Sequence, residues 1–140
     1  MREPATQPIG ADAAARPERT WTRRFPATPD QVGQARRFLA SLLSESPAAT
    51  DAVACLSELV TNSVQHSRSR RPGGQFTVRA TMRQGRLRAE VEDDGGPWAP
   101  HNHHDGQHGR GLLIVGSLAR QWGIAGNPTS RTTWFEIDQP

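Results

Sequence analysis

The residues with the most chemical content lie in Glu58-Leu59-Val60-Thr61-Asn62-Ser63-Val64-Gln65-His66. Glu58, Asn62 and His66 are spaced by four, which on a helix stacks them into one stripe with steps of about 40°. A carboxylate, an amide and an imidazole in line can hold a metal through hard oxygen and move a proton. The competing reading is a polar helix face that happens to contain a Glu, since short motifs often match by chance. A second acid, Asp93, ends an alternating segment and is followed by Gly95-Gly96-Pro97. It has the parity of Val91, so its carboxylate is predicted to point to the apolar side of a strand. An inward acid at a strand end reads as a binding site; Asp-Gly also reads as a plain turn signal. Gly109-Arg110-Gly111 precedes an apolar periodic segment. Glycines at a helix start let backbone N–H groups approach an anion, although a lone Gly-x-Gly is a weak signal. Four of the five histidines, His101, His103, His104 and His108, fall in the polar loop Trp98–His108, with Asp105 as its one acid. A metal cluster is one reading of that loop; a short His tract more often binds nothing.

Placing these groups takes a set of elements that the patterning supplies. The Glu58 stripe belongs to a helix predicted over about 51–66, with Val53, Leu56, Val60 and Val64 as an apolar stripe on roughly the opposite side. Upstream, Thr20–Phe25 reads as a strand with Trp21, Arg23 and Phe25 on one face. Thr28 then offers an N-cap with Pro29 at the first helical position, and the helix to about Leu43 carries Val32, Ala35, Leu39 and Leu42 at core spacing. Ser46-Pro47 breaks it, and Pro72-Gly73-Gly74 marks a turn after the second helix. Phe76, Val78, Ala80 and Met82 alternate with polar residues, as do Leu87, Ala89 and Val91. Gln84-Gly85 joins the two runs as a hairpin in which Arg83 faces Arg86 and Arg79 faces Glu90. A third helix is predicted over Leu112–Gln121, with Leu112, Val115 and Ala119 on one face. Two closing strands follow, Trp122–Ala125 and Thr132–Asp138, the latter with Thr133, Phe135 and Ile137 on one side. The order strand, helix, helix, hairpin, loop, helix, hairpin implies α/β: a two-layer α/β sandwich, a mostly antiparallel sheet with helices on one face.

Composition narrows the function classes. The 140 residues suffice for one domain with a real core. Residues 1–18 are rich in Ala, Pro, Arg and Thr with almost no large apolar side chain. That is the composition of a disordered N-terminal tail, leaving 19–140 as the folded domain. No apolar run reaches the roughly 18 residues of a membrane span, and the N-terminus lacks a signal-peptide apolar region. The single cysteine, Cys55, falls within the second helix as inert packing. These features lead us to expect a cytoplasmic protein. All 17 basic residues are Arg, which excludes a P-loop lysine and a Lys nucleophile. The net charge of +3 is a weak pointer to nucleic acid, and the run Arg68–Arg71 reads more simply as a solvated loop.

Three motifs together resemble those of the GHKL ATPases, the superfamily of gyrase, the heat-shock chaperone ATPase, histidine kinases and mismatch-repair proteins. They are ELVTNSVQHS in the helix, VEDDGGP at the strand end, and GRGLLIVGSLARQWG followed by a terminal SRTTWFEI strand. The resemblance covers about Phe25 to Ile137 and is nearest to the short anti-sigma-factor serine kinases and their actinobacterial relatives. It implies a Bergerat-type ATP-binding fold, with ATP and Mg2+ as cofactors. By resemblance, Asn62 would bind the Mg2+ that bridges the phosphates and Glu58 would be the general base. Asp93 would accept from the adenine amino group, with Gly95 giving the base room. Gly109, Arg110, Gly111 and Leu112 would supply phosphate contacts at the helix start. Thr132 would support the adenine-binding acid through water. His66 matches a position common in the actinobacterial subgroup and carries no assigned chemistry. Two departures fall in the segment that would cover the nucleotide: Pro97 replaces the second glycine of Asp-x-Gly-x-Gly, and the following loop carries Trp98 and histidines.

The resemblance implies an ATP-dependent serine/threonine kinase acting as an anti-sigma factor. Its partners would be a sigma factor and an anti-anti-sigma antagonist, with a homodimer as its assembly. The alternative is an ATP-binding regulatory module that holds a partner without phosphotransfer. Autophosphorylation on His is not expected, because no phosphoacceptor-helix region accompanies the domain. Direct nucleic-acid binding is the weakest reading, since apart from Trp the Arg residues lack interleaved aromatics.

Overall fold

The computed structural model describes residues 18–96 and 107–139, with the backbone alone for 107–111. Alternation of apolar and polar residues yields five strands: β1 (Arg19–Pro26), β2 (Gln75–Arg83), β3 (Arg86–Asp93), β4 (Gln121–Asn127) and β5 (Ser130–Asp138). They form one sheet in the order β1-β2-β3-β5-β4, and every neighbouring pair is antiparallel. The helices are α1 (Gln31–Leu42), α2 (Ala49–His66) and α3 (Gln107–Leu118). Their apolar residues close a single core with the inward sheet residues, including Phe25, Leu39, Leu56, Leu59, Val60, Phe76, Val78, Val91, Val115 and Phe135. The expected α/β sandwich is present, with its elements in the expected order and a sheet that is wholly antiparallel.

Local chemistry explains the joints. Gln84 and Gly85 both take positive φ, 52° and 77°, which is the twist a two-residue hairpin needs. The register pairs Arg83 with Arg86 and Arg79 with Glu90, as alternation predicts, and Arg79 Nη1 donates to Glu90 Oε1 at 2.8 Å. At the other end of the sheet Asn127 Oδ1 accepts from the backbone N–H groups of Thr129 and Ser130, so its amide closes the β4–β5 turn.

Several details differ from the sequence reading. Thr28 does not cap α1. Its hydroxyl donates to Asp30 Oδ1 at 2.6 Å, and the helix starts at Gln31, so Thr28–Asp30 form a preceding turn. The buried face of α2 is wider than a four-residue stripe: Ala52, Cys55, Leu59 and Ser63 are buried with Leu56, Val60 and Val64, while Val53 is only half-buried. The helix packs against α1, α3 and the sheet, so three sides are covered. Glu58, Asn62 and His66 are consequently half-buried rather than opposite to the core. The third helix begins at Gln107, five residues before the expected Leu112, and ends at Leu118. The expected tail and the loop 97–106, with His101, His103 and His104, lie outside the described residues, apart from Glu18.

Candidate functional site

Asp93 is the last residue of β3, and the alternation that buries Leu87, Ala89 and Val91 carries its side chain to the helix layer. It is 5% exposed. Ser63 Oγ, from α2, donates to Asp93 Oδ2 at 2.5 Å, and the Gly95 N–H donates to Oδ1 at 2.7 Å. Arg131 Nε stands 3.7 Å from Oδ1. Burial pushes the Asp93 carboxyl up from the usual carboxylate range; the Ser63 hydroxyl, the Gly95 N–H and the Arg131 charge oppose this, and neighbouring Asp94 adds to it. Burial likewise lowers Arg131 from its ordinary value, against the pull of Asp93.

The strand end and the helix are fastened at further points. Ser67 Oγ donates to the Ser63 carbonyl at 2.7 Å, at the end of α2. Beyond it, in a 3-10 turn at Arg68–Arg70, the Ser69 hydroxyl accepts from the Asp94 N–H at 2.9 Å, and the Arg68 N–H donates to the Gly95 carbonyl at 2.7 Å. The sequence brings them together because a helix ending in Ser67-Arg68-Ser69 offers hydroxyl and backbone partners to a strand end that would otherwise bury unpaired polar groups. On this helix Glu58 and Asn62 occupy successive turns, about 6 Å apart along the axis. Asn62 Nδ2 is enclosed and has no hydrogen-bond partner among the described residues.

The other expected residues fall as follows. Gly95 has φ +71°, and a Cβ there would lie 2.5 Å from the Pro128 carbonyl oxygen. Its missing side chain makes room for the β4–β5 turn. Thr132 pairs with Glu92, on the face of the sheet away from the helices. The residue opposite Asp93 is Arg131, and the next inward hydroxyl is Thr133, so Thr132 is not on the side of the sheet where the Asp93 carboxylate lies. Gly109, Arg110 and Gly111 lie inside α3 and not ahead of it. By helix geometry only Gly109 of the three keeps its N–H outside the intrahelical ladder. Leu112 is buried. A cavity of about 430 Å³ lies beside Asp93 and Asp94, but Arg24, Thr77 and Glu92 line it from the outward face, opposite to the Asp93 carboxylate. Among the described residues no group of three or more His, Cys, Asp or Glu is placed to hold a metal ion. Ser63 and Arg131 were missed by motif reading. Ser63 had a signal, its place on the apolar side of α2 between Leu59 and Ser67; Arg131 had the parity of Phe135.

Comparison with known proteins places this geometry. The family model described as histidine kinase-like ATPase domain matches residues 25–136. Among solved structures, the RsbU and RsbW domains of Rv1364c from Mycobacterium tuberculosis match with a TM-score of 0.67 at 21% identity, over 84% of this chain and 32% of that one. The histidine kinase domain of the blue-light activated histidine kinase from Erythrobacter litoralis EL346 matches with a TM-score of 0.52 at 19% identity, over 81% of this chain and 61% of that one. The chain thus spans less than two thirds of either, and both likenesses are of fold. No curated protein matches.

Proposed function

The chain belongs to the histidine kinase-like ATPase domain family, and from that premise we propose an ATP-dependent serine/threonine protein kinase acting as an anti-sigma factor. It would hold a sigma factor and phosphorylate a small anti-anti-sigma antagonist. The observation that carries the reading is the joined helix and strand end. Glu58 and Asn62 lie one turn apart on α2, and Ser63 of the same helix is bonded to the buried Asp93. The motif resemblance to anti-sigma-factor serine kinases supplies the reaction class, and the shared fold with a structure containing an RsbW domain agrees with it.

Each residue then has a task. The Asn62 amide is not spent on the fold, since its Nδ2 lacks a partner among the described residues. Its carbonyl oxygen is the kind of hard ligand Mg2+ takes from a protein when phosphates and water supply the rest. Bound there, the ion would neutralise charge on the ATP phosphates. Asp93 would accept from the adenine amino group, and the N–H of Gly109, outside the intrahelical ladder at the start of α3, would be available to a phosphate. Buried Leu112 anchors that end of the helix in the protein interior. In the transfer, the bond from the γ-phosphorus to the oxygen bridging to ADP breaks, and the serine Oγ of the antagonist bonds to that phosphorus. The proton of that hydroxyl passes to the Glu58 carboxylate.

A module that binds ATP and a partner without transfer is the second reading, favoured by Pro97 in place of the family's second glycine. Glu58 favours the kinase, because binding alone has no use for a base. Incubation with γ-labelled ATP and candidate antagonists separates them. Label on the antagonist establishes the kinase; tight binding of ATP and antagonist with no label establishes the module. The resemblance also implies a homodimer, which sedimentation equilibrium of the full chain checks: a single-chain mass at all concentrations removes it.

A further inference from the structure

The Asp93 carboxylate is met by a residue to which neither the motifs nor the resemblance gives a task. Arg131 stands opposite Asp93 in the β3–β5 register, so both side chains leave the sheet on the helix side. Arg131 is 6% exposed, and its Nε lies 3.7 Å from Asp93 Oδ1. The other inward residues of β5 are Thr133, Phe135 and Ile137, which are neutral. A guanidinium at the next position is costly to bury, and such a charge is tolerated when an opposite one accompanies it. The carboxylate also accepts from Ser63 Oγ and the Gly95 N–H, which are neutral donors.

We propose that Arg131 is the positioning residue of the base site, holding the buried Asp93 as an oriented carboxylate able to accept the exocyclic amino group of a purine. The proposal rests on the ATP-binding reading above. An amino group attached to a purine ring is a donor, so the acid that receives it must present a lone pair and not an O–H. An ionised carboxylate offers about four lone-pair sites, of which Ser63 and Gly95 take two. Burial works against that ionised state, and a fixed cation beside it works for it. Other charged or titratable groups on the surrounding elements are Asp94, paired with Arg71 at 3.2 Å, together with Arg68 and His66 at the end of α2 and in the turn after it. Asp94 opposes ionisation of Asp93, and Arg71 is already paired with Asp94, which leaves Arg131 as the cation in contact with the Asp93 carboxylate.

The probes are ATP and purine riboside triphosphate, which lacks the 6-amino group, bound to the full chain and followed by calorimetry. The wild type is expected to prefer ATP by about tenfold or more, the usual worth of a hydrogen bond to a charged group. Arg131→Met abolishes most of that preference while the affinity for the deaminated analogue stays nearly unchanged, and Arg131→Lys keeps the preference. A purely structural role would weaken both ligands alike. The proposal is overturned by a preference that survives in Arg131→Met, by its loss in Arg131→Lys, or by a wild type that binds both ligands equally. In that last case ATP binding itself stands. Binding of neither ligand instead removes the ATP reading, and carbon-detected NMR of the Asp93 carboxyl then decides the pair without any nucleotide. The carboxyl should be ionised at neutral pH in the wild type and in Arg131→Lys, and should titrate at higher pH in Arg131→Met. A protonated Asp93 in the neutral wild type overturns the proposal even where Arg131→Met does not fold.

Discussion

Glu58 and Asn62 share a helix face, yet substitution should separate their tasks. Glu58→Ala should leave ATP binding intact and slow phosphotransfer by about 10²–10⁴-fold, the usual contribution of a general base. Alanine keeps the helix, so the loss is chemical. Asn62→Ala should weaken Mg·ATP binding and abolish transfer. Transfer that continues at the wild-type rate in Glu58→Ala removes that residue from the mechanism. Asp93 has a separate signature in stability. Its folded pKa is raised above the usual 3.8, chiefly by burial. The native state therefore holds the proton to higher pH than the unfolded chain does, and folding is favoured most where the acid is protonated. Relative to Asp93→Asn, the wild type should lose stability as pH rises upward from about 3.8 and level off once the buried carboxyl is ionised. Urea midpoints across the acid range test this, and a difference that grows with pH would contradict it.

At the scale of elements, the site depends on how β3 is fastened to α2 and to the β4–β5 turn. Gly95 is a tight joint between β3 and that turn, at φ +71° with the Pro128 carbonyl where a Cβ would go. Gly95→Ala combines a left-handed conformation with a backbone clash and should destabilise the fold by about 2 kcal/mol or more. It should also loosen the Arg68-to-Gly95 bond that ties the end of α2 to the strand. A urea-unfolding change within about 0.5 kcal/mol, the range of an ordinary surface substitution, would show that the turn simply moves aside. The third helix carries a related lesson. Gly109 and Gly111 sit in the first turns of α3, so backbone N–H groups outside the intrahelical ladder are confined to its start, where Gly109 lies.

For the whole molecule the test is selective stabilisation by nucleotide. A ligand that binds only the folded state at 100 times its Kd adds about 2.7 kcal/mol, which moves the melting temperature of a domain this size by several degrees. Mg·ATP should do this and Mg·GTP should do so less, because the role proposed for Asp93 is to accept from an amino group that guanine carries elsewhere on its ring. Equal shifts from both nucleotides would remove the role given to Asp93. Among the described residues no helix is long and apolar enough to cross a membrane. The outward face of the sheet is instead a lattice of ion pairs, Arg79 with Glu90 and Glu92 and Arg88 with Glu90 and Glu136.

Period and parity are local properties, and they were legible in the chain itself. Two-residue alternation placed Asp93 on the helix side, and four-residue spacing put Glu58 and Asn62 on successive turns. The same alternation already set Thr132 on the opposite face from Phe135, which is where the structure places it. The tertiary structure decided what depends on segments far apart in the chain. The β3–β5 register set Arg131 against Asp93, the packing of α2 brought Ser63 to the same carboxylate, and the β4–β5 turn explained Gly95. Contacts between residues 63 and 93, 93 and 131, or 95 and 128 leave no trace in local periodicity. They are fixed only when burial of one shared core brings those segments together.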